Sequence, residues 1–152
     1  LSKDVYVVFH DGFRLDKWKQ FFNENHFENV ILDTHMYQVF SYNDARRNID
    51  ELLLKVSEQR SRELMEVNQY VDIVVGEWSL GIHKNTLDLL ENEVDKNNLY
   101  KEVGNRLLTT FGQVRGWFFW NYKLSEESTK NKIGWSFVDN VQQGFLPKKM
   151  KE

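Results

Sequence analysis

Four apolar runs, each followed by a stretch of helical periodicity, limit what this chain can fold into more than any other feature. Asp4–Phe9, Asn29–Thr34, Val71–Val75 and Val114–Tyr122 are short and rich in β-branched and aromatic residues, as expected of strands covered on both faces. Helical patterns separate them. Lys17–Phe22 carries Trp18, Phe21 and Phe22 on one face behind Asp16, a candidate N-cap. After a Ser41–Asp44 loop, a long amphipathic pattern from Ala45 to Glu66 repeats Ile49, Leu52, Leu53 and Val56 at helical spacing. Thr86–Val94 suits a short helix. Asn98–Phe111 suits a firmer one, with Leu99, Val103, Leu107 and Phe111 four residues apart and Gly112 as its C′ residue. Ser125–Lys132 is a polar loop, and Trp135–Val141 is a last helix stopped by Gly144 and Pro147. The order β-α-β-α-β-α-β-α predicts an α/β fold with a parallel sheet and right-handed crossovers.

In such folds the chemistry collects at the C-terminal ends of the strands. Those ends here carry His10 and Asp11, then His35 and Tyr37, then Glu77, then Trp120. Glu77 stands out because it follows the continuous run Ile73-Val74-Val75 and Gly76. Alone, a glutamate closing a strand is more often solvated or helix-capping than catalytic. A histidine or tyrosine at the same place serves a local hydrogen bond just as readily. Their grouping with aromatics suggests a sugar site, since aromatic faces stack on C–H-rich rings. Trp78 and Trp117 read as core, and His26 and His83 as surface.

Composition excludes several classes. The 152 residues carry a net charge of −3, with 41% hydrophobic and 28% charged residues, so no polyanion partner is implied. The Lys-rich end, Lys148-Lys149-Met150-Lys151, reads as a solvated tail. There is no cysteine, which removes disulfides, thiolate catalysis and cysteine-ligated metals. The histidines lie on different elements without metal-ligand spacing. No cofactor is expected, because no Gly-rich phosphate loop is present, and no basic–aromatic stripe for nucleic acid occurs. No run approaches the ~20 apolar residues of a membrane helix, so no membrane partner is expected. No leader is visible at Leu1-Ser2-Lys3, which with the missing cysteines leans slightly towards a cytoplasmic setting and leaves a processed or partial chain open.

Several motifs, in this order and spacing, resemble a known family. These are His35-Met36-Tyr37-Gln38-Val39-Phe40, Val75-Gly76-Glu77-Trp78-Ser79, Gly116-Trp117-Phe118-Phe119-Trp120, Gly134-Trp135-Ser136-Phe137 and Gln142-Gln143-Gly144-Phe145-Leu146-Pro147. Together they resemble glycoside hydrolase family 5, and within it the exo-β-1,3-glucanase branch. The resemblance covers nearly the whole chain. It implies a TIM (β/α)8 barrel of which the four units here resemble strands 5–8, the C-terminal half. It implies retaining hydrolysis of β-glucosidic bonds in β-glucan or glucosides. Glu77 would be the nucleophile and His35 and Tyr37 its hydrogen-bonding partners. Trp120 would be the platform under the sugar, and Phe13 and Phe40 would line the aglycone entrance.

One departure is large. The family's acid/base is a Glu in an Asn-Glu-Pro motif, and this sequence has none: Asn23-Glu24-Asn25 and Asn92-Glu93-Val94 sit in helical context. Asp11, beside the substrate, is a weak substitute acid, because retaining hydrolysis needs two carboxyls about 5–5.5 Å apart. Residues 1–152 are therefore expected to be a single partial catalytic domain without its N-terminal half. Its open edges would need that half, or a second copy, to cover them, and the chain alone would be inactive. Two alternatives stand beside this: a non-catalytic carbohydrate-binding protein on the same scaffold, and an independent flavodoxin-like domain with its ligand at a switch point.

Overall fold

The computed structural model describes residues 5–125 and 132–149. Most of the Ser125–Lys132 loop, the end of the Lys-rich tail from Met150, and Asp4 at the start of the first run lie outside the described residues. The strands are β1 (Val7–His10), β2 (Val30–Met36), β3 (Asp72–Trp78) and β4 (Gly116–Phe119). All pair in parallel, in the order β1-β2-β3-β4. Each strand lies beside its sequence successor and the order never reverses, unlike a doubly wound sheet. Right-handed crossovers with that order put every helix on one face. This is the arrangement of four consecutive units of a (β/α)8 barrel, and it removes the flavodoxin-like alternative.

Burial agrees with a single covered face. Leu32, Met36, Ile73, Val75 and Trp78 pack among Leu52, Val56, Leu64, Val67, Val103, Leu107 and Phe111 from the helices. On the other face Val8 is 54% and Phe118 66% exposed. In a closed barrel that face is filled by side chains from the opposing strands.

The helices are α1 (Leu15–Glu24), α2 (Ile49–Leu54), α3 (Arg60–Asn68), α4 (Lys84–Leu87), α5 (Glu93–Phe111) and α6 (Phe137–Gln142). Several boundaries differ from the sequence pattern, each for a local reason. Asp16 is not the N-cap of α1. The turn through Gly12 and Phe13, both at positive φ, starts the helix early, and Asp16 lies in its first turn. The long pattern expected from Ala45 begins instead with a 3-10 turn, Asp44–Arg46. The true cap is Asn48, which exchanges hydrogen bonds with Glu51 in a capping box. A π-helical turn, Lys55–Gln59, then separates α2 from α3. The short helix expected over Thr86–Val94 is displaced to Lys84–Leu87. Asn92 caps the next helix by accepting from Asp95 N–H at 2.9 Å, so α5 starts five residues before Asn98. Gly112 follows α5 with a right-handed φ of −67°, so its left-handed role as C′ is not used.

Candidate active site

The site is built at a bulge. Thr34 pairs with Val75, but the next residue, His35, pairs with Glu77, so Gly76 is an extra residue in β3. Without it, alternation would carry Glu77 to the same side as Ile73 and Val75, into the helix-covered core. The bulge reverses the phase. Trp78 enters the core instead, packing edge-to-face on Phe111, Trp117 and Phe119, and Glu77 joins Asp33 and His35 on the open face.

There the Glu77 carboxylate is held from β2. The Tyr37 hydroxyl donates to Glu77 Oε2 at 2.8 Å, and His35 Nδ1 lies 3.4 Å from the same oxygen. Burial, followed by the hydrogen bond to Glu77 and its charge, pushes the Tyr37 hydroxyl well above the usual phenol range. It therefore stays a donor through neutral pH. The other nitrogen of His35, Nε2, lies 3.2 Å from Asp33 Oδ2. The His10 ring stands edge-on to His35 with centroids 4.3 Å apart.

The backbone of Tyr37 is anchored from below. Its carbonyl accepts from Lys55 Nζ at 3.2 Å and from Arg60 Nη2 at 2.7 Å. Residues five apart on an α-helix point about 140° away from each other. The π turn between Lys55 and Arg60 brings both onto one carbonyl. Lys55 is 6% exposed and pairs with the equally buried Asp44. Burial, then the Arg60 charge, pulls the Lys55 ammonium below its usual range, opposed by Asp44. Burial acts to raise Asp44, but hydrogen bonds from Lys55 and Ser41 outweigh it and hold the carboxyl low. Ser41 and Asp44 exchange hydrogen bonds, which closes the loop that carries Phe40.

The aromatics fall into two groups around this centre. Phe13 is 6.0 Å from His35 and packs on His10, and Phe40 packs on Tyr37 and Trp135. Phe13 and Phe40 both face solvent and border a cleft of about 960 Å³ that His35 and Tyr37 also line. Trp120 extends beyond β4, its N–H donating to the Trp78 carbonyl at 2.8 Å. Its ring is half exposed, and its peptide bond to Asn121 is cis. Trp120 and Glu77 stand outside the cleft lining.

Asp11, expected to meet substrate or to serve as a weak substitute acid, also lines this cleft but is buried. It is 3% exposed. Its Oδ2 accepts from the Thr34 hydroxyl and its Oδ1 from the Phe13 N–H, both at 2.8 Å. Both oxygens are thus turned into the fold, and Asp11 serves to hold the β1–α1 turn that presents Phe13. Glu24 and Glu93 lie at the end of α1 and the start of α5.

Three contributors have no role assigned from the sequence, although Trp135 and Gln38 lie within the motifs quoted for the resemblance. Asp33 lies inside an apolar run and reads there as strand. Trp135 stacks on Tyr37, and its ring fills the space against Gly81. Gln38, buried, donates to the carbonyls of Ser79 and Gly81 and ties the loop after β2 to the loop after β3. Only the glycine at position 81 hints at such a close approach. Among the described residues no group of acidic and histidine side chains is arranged to hold a metal ion, and no helix is long and apolar enough to cross a membrane.

No family model matches the chain. Similar curated proteins do. A protein named glucan 1,3-beta-glucosidase from Kluyveromyces lactis is 26% identical over 97% of this chain and 40% of its own length. One of the same name from Yarrowia lipolytica is 29% identical over 96% of this chain and 40% of its own. The chain spans about two fifths of the length of these relatives. Among solved structures, the crystal structure of AoRut shares the fold, with a TM-score of 0.64 at 18% identity over 95% of this chain and 38% of that one. The resemblance read from the motifs is borne out: over nearly its whole length this chain is a homologue of proteins named glucan 1,3-beta-glucosidase.

Proposed function

We propose that this chain is the nucleophile-bearing part of a retaining glycosidase that cleaves β-glucosidic bonds of β-glucan or glucosides. One observation carries the reading. In a chain with these homologues, the bulge at Gly76 presents the Glu77 carboxylate on the open face, where it accepts from Tyr37 and lies against His35. Two groups on one carboxylate oxygen orient it, leaving Oε1 to react.

In the first step Glu77 attacks the anomeric carbon, and the bond to the glycosidic oxygen breaks. The departing oxygen takes a proton from a second carboxyl group. In the second step that group, now a carboxylate, removes a proton from water, which attacks the anomeric carbon and releases Glu77. The second carboxyl comes from outside this chain, on further β/α units that cover the open face and edges of the sheet; a second copy of this chain would cover the edges but bring no matched acid. Tyr37 and His35 hold the nucleophile. Trp120 offers its half-exposed face to the sugar ring, and the solvent-facing Phe13 and Phe40 receive the aglycone side. The relatives' names make a β-1,3-linked glucose oligosaccharide the first substrate to try.

The test is the anomer released by the full-length protein from such an oligosaccharide, followed by proton NMR before mutarotation. The β-anomer appearing first supports the reading. The α-anomer first contradicts the retaining mechanism. Binding without turnover makes the protein a carbohydrate-binding member on this scaffold.

A further inference from the structure

Gly76 and Asp33 lie on neighbouring strands, and each accounts for the other. A Cβ added to Gly76 would stand 2.0 Å from Asp33 Oδ1 and 2.7 Å from its Cγ. The Asp33 carboxylate therefore occupies the space that a side chain at 76 would take. Gly76 is not among the positive-φ glycines, so close approach is what demands a glycine here. Asp33 Oδ1 is buried with no hydrogen-bond partner among the described residues, an arrangement that opposes folding. The other oxygen, Oδ2, meets His35 Nε2 at 3.2 Å, and His35 Nδ1 meets Glu77 Oε2 at 3.4 Å. The contacts run from Gly76 through Asp33 and His35 to Glu77 and close on themselves, since 76 and 77 are adjacent.

We propose that Asp33 is a positioning residue, seated on Gly76 and fixing the rotation of the His35 ring against Glu77. This rests on the nucleophile reading of Glu77. Asp33 itself touches neither the sugar nor the reacting atoms. With both ring nitrogens facing carboxylates, the imidazole has no free edge about which to turn. The histidine β1 supplies, His10, packs against the ring by its edge. With one Asp33 oxygen unpartnered among the described residues, removal of this side chain is expected to cost rate more than folding, which separates it from a structural residue.

The test uses the full-length protein and four variants: Asp33→Asn, Asp33→Ala, Gly76→Ala and the Asp33→Ala/Gly76→Ala pair. Asp33→Asn is expected to lower kcat on an aryl β-glucoside by about tenfold to a hundredfold, the cost of a misplaced group. KM should stay within about twofold and the thermal midpoint should not fall. Gly76→Ala is expected to do the same by displacing Asp33. Once Asp33 is alanine there is nothing left to displace, so the pair should be no slower than Asp33→Ala alone. Wild-type kcat in Asp33→Asn, or additive losses in the pair, would overturn the proposal. Should the folded wild type show no turnover, the nucleophile reading fails separately. The proposal is then decided by the 15N resonances of the His35 ring, expected to move in Asp33→Asn and overturned if they do not.

Discussion

Among single residues, the contacts that hold the Glu77 carboxylate matter most to the proposed chemistry. Glu77, His35 and Tyr37 are legible in the sequence because each ends an apolar run, and strand ends are where α/β folds place chemistry. Asp33 is not legible, because a polar residue inside a strand looks like simple alternation. Asp11 shows the converse. It stands at a strand end like the others, yet its oxygens are turned inward to Thr34 and Phe13, and sequence position alone does not reveal the direction of a side chain. The Tyr37 hydroxyl is the shorter of the two contacts to Glu77. Tyr37→Phe removes a hydrogen bond to a charged group, worth about 1.5–3 kcal/mol. It is expected to lower kcat about tenfold to a hundredfold in the full-length protein and to lower the melting temperature by a few degrees. Steady-state kinetics beside a thermal melt checks both.

At the scale of the element, existence and order are legible and boundaries less so. Apolar runs gave the four strands, but β3 continues through Glu77 to Trp78 because the bulge lets it. The π turn is not foretold by the repeat of Ile49, Leu52, Leu53 and Val56, which ends as the turn begins. Its effect is seen only where Lys55 and Arg60 meet at the Tyr37 carbonyl. Two predictions belong here. Asn48→Ala removes the capping box of α2 and is expected to cost about 1 kcal/mol in chemical denaturation. Asp44→Asn leaves Lys55 buried without its partner and is expected to cost about 3–5 kcal/mol at neutral pH. The folded Asp44 carboxyl is held below its unfolded value of about 3.9. Its stabilisation is thus present above that pH and lost as pH falls through the folded value. Denaturation across a pH series should show the gap between wild type and Asp44→Asn narrowing below about pH 4.

At the scale of the whole molecule, the strand order and the exposure of Val8 and Phe118 describe a sheet with helices on one side and an open face on the other. The sequence foretells this through the resemblance and not through composition, which would suit any soluble α/β domain. An open apolar face with parallel edges favours association. The 152-residue chain alone is expected to self-associate or to unfold at low denaturant. Light scattering that finds a monodisperse, cooperatively folding monomer would contradict it.

Glu77 is proposed to form the covalent bond to the sugar. The most direct measurement is to trap the full-length protein with a 2-fluoro-glucoside, whose glycosyl-enzyme turns over slowly, and to map the label by peptide mass. One sugar is expected on the peptide that carries Glu77, and none after Glu77→Gln. Label on another carboxylate, or no label on a folded protein that still hydrolyses β-glucosides, would contradict it.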